Sequence, residues 1–182
     1  MTELAAVSTH IFSILTLFLL AFSILCIYSL SKKNTSSDKF IRLVGPYARI
    51  GTFLLALAAM LGSLFYSEII GFKPCTLCVV QRFFMYPQVV TLGAAMLFKK
   101  FKVLIITIIL SILGGVTALY HAYAGIFGSS LLACVTTGGS CSKVYFLEWG
   151  FISIPFMAFT VFLTLIMLEL VNRKYKKRDD QV

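Results

Sequence analysis

Charge is what this chain has least of. Only 13% of its 182 residues are charged, and seven of them are acidic. Hydrophobic residues make up 59%, and the mean hydropathy is +0.95. A soluble domain of this length could not hide so much apolar surface, whereas a bilayer removes the need to hide it. Several other features are missing. No basic stretch precedes the first apolar run, so the pattern of a secretory signal is lacking. Leu25 stands where lipidation at Cys26 would need a small residue. No unit repeats along the chain, and the only low-complexity stretch is the polar link Ser31–Lys39. The apolar runs contain neither an acidic pair nor matched interruptions of the kind that mark ion or solute transport.

What is there is a series of apolar runs. A membrane-spanning helix needs about 20 mostly apolar residues. Ile11–Leu30 meets this without a charge, and further runs extend from Ile50 to Tyr66, Cys78 to Phe98, Val103 to Tyr123 and Gly150 to Val171. The expected fold is all-α and membrane-integral, a four-helix bundle with one extra N-terminal helix. Residues 1–43 form the extra helix and its link, 44–172 the bundle, and 173–182 a basic tail.

The net charge of +9 does not indicate nucleic acid, because the basic residues alternate with apolar runs instead of sharing a soluble face. Lys32, Lys33, Lys39, Arg42 and Arg49 follow the first run, Lys99, Lys100 and Lys102 the third, and Arg173, Lys174, Lys176, Lys177 and Arg178 the fifth. The opposite side holds Lys73, Arg82 and Lys143. The asymmetry places the N-terminus outside and the C-terminus inside.

The cysteines follow this division. Cys26 lies within the first run and behaves as a small hydrophobe. Cys75, Cys78, Cys134 and Cys141 all map to the outer side, where disulfides persist. Cys75-Thr-Leu-Cys78 has the spacing of redox-active dithiols, whose small ring opens easily. Pro74 suits a helix start, and a helix N-terminus stabilises a thiolate. Arg82 stands four residues after Cys78 and shares its face, with Gln81 beside it, so its cation favours a Cys78 thiolate or an anion held there. The bland readings are a static staple for the pair and an Arg82 that merely snorkels to the headgroups. The second pair, Cys134 and Cys141, brackets Gly138-Gly139, which lets the chain fold back, within a long link that a soluble protein can reach.

Thiol–disulfide exchange moves electrons in pairs, and a bilayer's natural two-electron carrier is a quinone. Phe83, Phe84 and Tyr86 offer flat apolar surface for one, and Arg82 a hydrogen bond to its oxygen. His121, near the outer end of the fourth run, can contact the quinone, relay a proton, or simply rest at the interface between tyrosines. Glu148 reads as a wet loop charge.

These residues carry a resemblance. Pro74-Cys75-Thr-Leu-Cys78-Val-Val-Gln81-Arg82, the outer pair Cys134/Cys141 and Trp149-Gly-Phe-Ile-Ser-Ile-Pro155-Phe together resemble the DsbB/BdbC disulfide-bond formation proteins, from about Ile50 to Val171. The resemblance implies a four-helix membrane bundle in the bacterial cytoplasmic membrane. It would reoxidise an extracytoplasmic thioredoxin-fold thiol oxidase, DsbA/BdbD-like, and pass the electrons to ubiquinone or menaquinone. It implies that Cys134 forms the mixed disulfide with the partner and that Cys141 resolves it. Cys75 would then exchange with the outer pair, and Cys78 would donate to a quinone held by Arg82. The six residues between Cys134 and Cys141 sit closer to the BdbC branch. Vitamin K epoxide reductase-type proteins also join dithiols to a quinone, but their loop pair precedes the CxxC. A scaffold with structural disulfides, or with zinc held by four thiolates, is the non-enzymatic alternative. An oxidising compartment and the adjacent Arg82 disfavour the zinc site.

Overall fold

The computed structural model describes residues 3–32, 34–97, 103–127 and 145–179. Cys134, Cys141 and the Gly138-Gly139 step lie outside the described residues. Five helices are seen among those described: α1 (Glu3–Ser31), α2 (Thr35–Leu64), α3 (Thr76–Leu97), α4 (Val103–Phe127) and α5 (Ile154–Asp179). Helices α2 to α5 pack in a ring, α2 on α3, α3 on α4, α4 on α5, and α5 back on α2, while α1 lies against α5 and α2. The core between the four ring helices is built from Ala56, Met85, Leu92, Ala118, Phe162 and Leu165. Phe162 of α5 reaches its place because Gly114 of α4 has no side chain; a Cβ there would overlap the phenyl ring.

Among the described residues, four helices are long and apolar enough to cross a membrane: α1, α2 with the turn that follows it, α4 and α5. This is a multi-pass membrane protein. The third predicted span, α3, is not among the four, because Gln81, Arg82 and Gln88 lie within it. It is shielded instead by α2 and α4. Gln88, fully buried, donates to the Phe84 carbonyl at 3.1 Å and accepts from Ser111 Oγ of α4 at 3.0 Å. Without those partners its amide would be costly at this depth.

α1 is apolar all round, and its buried side is a line of small residues: Ala5, Ser8, Thr9, Ser13, Thr16, Ser23, Cys26 and Ser29. Small side chains let helices approach closely in a bilayer, and hydroxyls bridge them. Ser23 Oγ and Thr164 Oγ1 of α5 are 2.9 Å apart. Large residues such as Phe18 and Ile24 point outward.

Two elements run further than their apolar cores. α2 begins at Thr35, through residues read from the sequence as a link, and α5 continues into the basic tail. With its terminal turn α2 has 35 residues, or ~52 Å at 1.5 Å each, well beyond a ~30 Å hydrocarbon core. The overhangs support one another: Arg178 Nη2 lies 2.6 Å from Asp38 Oδ1, Tyr175 packs on Gly45, and Lys174 Nζ donates to the Leu30 carbonyl at 3.1 Å. Glu169 is buried on α5 beside Asn172.

At the other end α2 widens into a π-helical turn, Phe65–Ile69, and stops at Gly71, whose φ of +80° reverses the chain. α5 starts at Ile154, later than the sequence predicts. Trp149 and Gly150, both with positive φ, form a tight turn that pairs Glu148 with Ile152. Ser153 then caps the helix, its carbonyl accepting from Met157 N–H at 2.9 Å. The Trp149-Gly150 dipeptide is thus a turn and Pro155 lies in the first helical turn, where its missing N–H costs nothing.

Candidate redox site

The site begins with the chain between Gly71 and Thr76. Phe72 stacks on Tyr145 at 4.3 Å and on Tyr66 at 5.8 Å, and Tyr145 Oη donates to the Lys73 carbonyl at 2.8 Å. This three-ring stack fixes the approach to α3. Cys75 is the N-cap residue, its carbonyl accepting from Val79 N–H at 3.1 Å, so Pro74 precedes the cap instead of opening the helix.

Cys75 and Cys78 are free thiols with sulfurs 3.4 Å apart. Cys75, 6% exposed, also lies 3.5 Å from His121 Nε2 of α4. Gln81 Nε2 is 3.1 Å from His121 Nδ1. Since the amide nitrogen donates, Nδ1 accepts, and the ring proton sits on Nε2, facing the Cys75 sulfur. The Cys75 thiol is held far below its usual value of 9.0, at about 4. The largest cause is the hydrogen bond from the Cys78 thiol; burial opposes it, and the His121 side chain and Cys78 backbone N–H add to it. An N-cap sulfur receiving the N–H of the third helical residue is the cysteine version of ordinary N-capping.

Arg82 does not reach this sulfur network. Its Nε donates to Ser63 Oγ and its Nη2 to the Ser63 carbonyl, both at 2.9 Å, which pins the guanidinium to α2. Cys78 and Arg82 nevertheless share one face, as expected, and both border a mostly apolar cavity of about 250 Å³. Cys75, Gln81 and His121 border it as well.

The structure therefore joins five of the seven predicted site residues, Cys75, Cys78, Gln81, Arg82 and His121. Cys134 and Cys141 fall outside the described residues. His121 is 5% exposed and hydrogen-bonded on both nitrogens, so the idle interfacial reading does not hold. Two expectations change. Phe83, Phe84 and Tyr86 do not line the cavity; the turn of α3 that presents Cys78, Arg82 and Met85 carries Phe83 outward and packs the other two on the core. The aromatic wall is Phe12, Tyr66, Phe72 and Tyr145 instead. Glu148 is not a free loop charge, since its Oε2 meets His10 Nδ1 at 3.2 Å. The anchoring role of Ser63 had no sequence signal; it depends on which face α2 turns toward α3.

A buried dithiol at the capped end of a membrane helix, opening on an apolar cavity, defines a class: a membrane-embedded thiol oxidoreductase. Residues 47–172 match the family described as disulfide bond formation protein DsbB, and the chain belongs to that family. It is 38% identical over 128 residues to the probable disulfide formation protein C of Halalkalibacterium halodurans, covering 67% of this chain and 90% of the relative. It is 35% identical over 135 residues to a probable disulfide formation protein C of Bacillus cereus, covering 71% and 94%. Against the SPbeta prophage-derived disulfide bond formation protein B of Bacillus subtilis the identity is 34% over 131 residues, covering 71% and 88%. No solved structure matches. Membership implies an oxidoreductase of disulfide-bond formation in a membrane. α1 and the first turns of α2 lie outside the family match.

Proposed function

We propose that the chain reoxidises an extracytoplasmic thioredoxin-fold thiol oxidase and passes the electrons through two cysteine pairs to a membrane quinone. The cavity is the observation that carries this reading: a dithiol and a fixed cation border one apolar space inside a membrane bundle. Its residues suit a quinone, since its walls are apolar and Arg82 and Gln81 border it with N–H groups that can meet a ring oxygen, while His121 borders it as the partner of Cys75. A quinone bound there would supply a two-electron sink.

In the first step a partner thiolate attacks Cys134, the Cys134–Cys141 bond breaks, and Cys141 departs as a thiolate. Attack of Cys141 on Cys75 opens the Cys75–Cys78 disulfide and frees Cys78. The partner's second thiolate then takes the mixed disulfide apart, leaving the partner oxidised and Cys134 reduced. Cys134 attacks Cys141, restoring the outer disulfide and expelling Cys75. The two electrons now reside on Cys75 and Cys78. A sulfur with a depressed pKa leaves faster, and stabilising its thiolate makes the pair easier to reduce. The network around Cys75 does both. His121 holds a proton at Nε2 against that sulfur, and Ser63 keeps Arg82 aimed at the cavity.

The cysteine pairs belong to the outer face of the cytoplasmic membrane, with the N-terminus outside, as the basic residues indicate. Trapping tests the route. A partner variant that lacks its second cysteine is expected to accumulate a mixed disulfide through Cys134, since its one thiolate can open the Cys134–Cys141 bond but cannot resolve the product, and Cys134→Ser is expected to stop both trapping and reoxidation. Normal reoxidation by Cys134→Ser would refute the path.

One observation favours a second reading. The Cys75 and Cys78 sulfurs and a His121 nitrogen lie within 4.8 Å of one another, a donor set that suits a soft metal ion. Under that reading the reduced pair is protected from alkylation until a chelator is added.

A further inference from the structure

α1 stands outside the family match, yet it borders the redox cavity. Phe12, Leu15, Thr16 and Leu19 line one side, and Cys75, Cys78 and Arg82 are on the same cavity's lining. The four positions follow i, i+3, i+4 and i+7, a single stripe on one face of the helix. We propose that α1 is a wall of the acceptor pocket, and that this stripe sets which quinone enters and how tightly it is held. The inference rests on the quinone reading above and assigns that pocket a specificity element from outside the family bundle.

Three observations support it. First, α1 is docked along its whole length. His10 meets Glu148 near the outer loop, Ser23 meets Thr164 at mid-helix, and Lys174 donates to the carbonyls of Ser29 and Leu30 at the inner end. Second, the stripe is fitted to its neighbours. The Phe12 ring lies 5.5 Å from Tyr66 and 6.2 Å from Phe65, and its edge rests over Gly62. Tyr66 in turn carries the aromatic stack that positions Cys75. Third, Leu15 lines the cavity and is 50% exposed, so the bundle does not seal the cavity wall at α1. An unsealed wall on a membrane helix is where a lipid-soluble acceptor can arrive. Thr16 faces inward, its hydroxyl donating to the Phe12 carbonyl at 2.7 Å, so it presents mainly its methyl group to the space.

The test uses the full chain in lipid nanodiscs, with dithiothreitol as electron donor so that no protein partner is needed. Decyl-ubiquinone and menadione serve as acceptors, and their binding to the oxidised chain without donor is read separately from the rise in melting temperature they cause, an apparent Kd that is expected to move with KM. Leu15→Trp and Leu19→Trp push a large side chain into the cavity and are expected to raise the acceptor KM about tenfold, with kcat changed less than about twofold. Phe18→Trp, on the lipid-facing side of the same helix, leaves both constants unchanged. Leu15→Ala introduces no clash and is expected to change the ratio of the two acceptors' KM values by at least about threefold. An unchanged KM in both tryptophan variants, with an unchanged ratio in Leu15→Ala, overturns the proposal while leaving the quinone reading intact. A wild-type chain that reduces neither acceptor overturns the quinone reading, and this inference with it.

Discussion

α1 and α3 are both helices within one membrane protein, and they are built on opposite terms. From Ile11 to Leu30 α1 is an apolar run without a charge whose buried polar groups are small hydroxyls, and most of its large side chains face outward. α3 breaks its apolar run with Cys78, Gln81, Arg82, Pro87 and Gln88 and falls short of the hydropathy of a self-sufficient span. α1 can sit in a bilayer by itself and is docked by small contacts. α3 is acceptable there only because α2 and α4 satisfy its polar groups through Ser63, His121 and Ser111. The residues that make α3 a poor span are the ones that hold chemistry, in keeping with the cost of polar groups at membrane depth.

The contrast sets the size of mutational effects. The largest belongs to Cys78→Ser, which is expected to abolish quinone reduction by the purified chain, as followed by absorbance; measurable turnover would move the last sulfur elsewhere. Next, Arg82→Ala removes a charged donor from the cavity and should lower kcat/KM for quinone by about tenfold to a hundredfold, the range of a charged hydrogen bond. Thiol counting should show the Cys75–Cys78 disulfide still able to form in that variant.

A third prediction concerns pH. With the Cys75 thiol held at about 4 against an ordinary value of 9.0, the reduced chain should react with a small alkylating agent at a rate nearly constant from about pH 5 to 8. Gln81→Leu unties His121, so the pKa rises and the rate should climb with pH. The same depression ties stability to pH. The thiolate's contribution to the reduced fold is complete above the unfolded value of 9.0 and is lost as pH falls through about 4, so reduced chain should melt at lower temperature in acid than the oxidised chain does. The smallest effect is expected in α1. Ser23→Ala removes the hydroxyl pair with Thr164, and hydrogen bonds of this kind in membranes contribute about 0.6 kcal/mol, so thermal stability in detergent should shift only slightly. A large loss of redox activity in Ser23→Ala would blur the division between the two helices.

The same contrast explains what was legible beforehand. Helices were easy to see where apolarity ran unbroken, as in α1 and α4, and the CxxC–Gln–Arg stretch announced its chemistry through spacing. The first turns of α2 were read as a link because polar and basic residues, Ser31–Lys39 and Arg42, separate the apolar runs there. They are helical because Tyr175 and Arg178 of α5 pack on them, a tertiary contact that local composition cannot report. The Trp149-Gly150 turn was merged into α5, although two successive positive φ angles end any helix there. Within the site, Gln81 and His121 are forty residues apart, and only the α3–α4 packing makes them one unit with Cys75. The aromatic wall was assigned to the wrong residues because spacing on α3 was not followed around the helix. Ser63 and the α1 stripe could not be found from any single segment.

The account's central claim is that the cysteine pairs relay electrons to a quinone, and alkylation of the chain in its native membrane tests it most directly. Thiols would be counted with quinone present, with quinone depleted, and with a chelator added. The relay predicts two disulfides and one free thiol, Cys26, while quinone is available, and reduced pairs once it is removed. Disulfides that persist unchanged without quinone, or thiols that appear only after chelation, would contradict it.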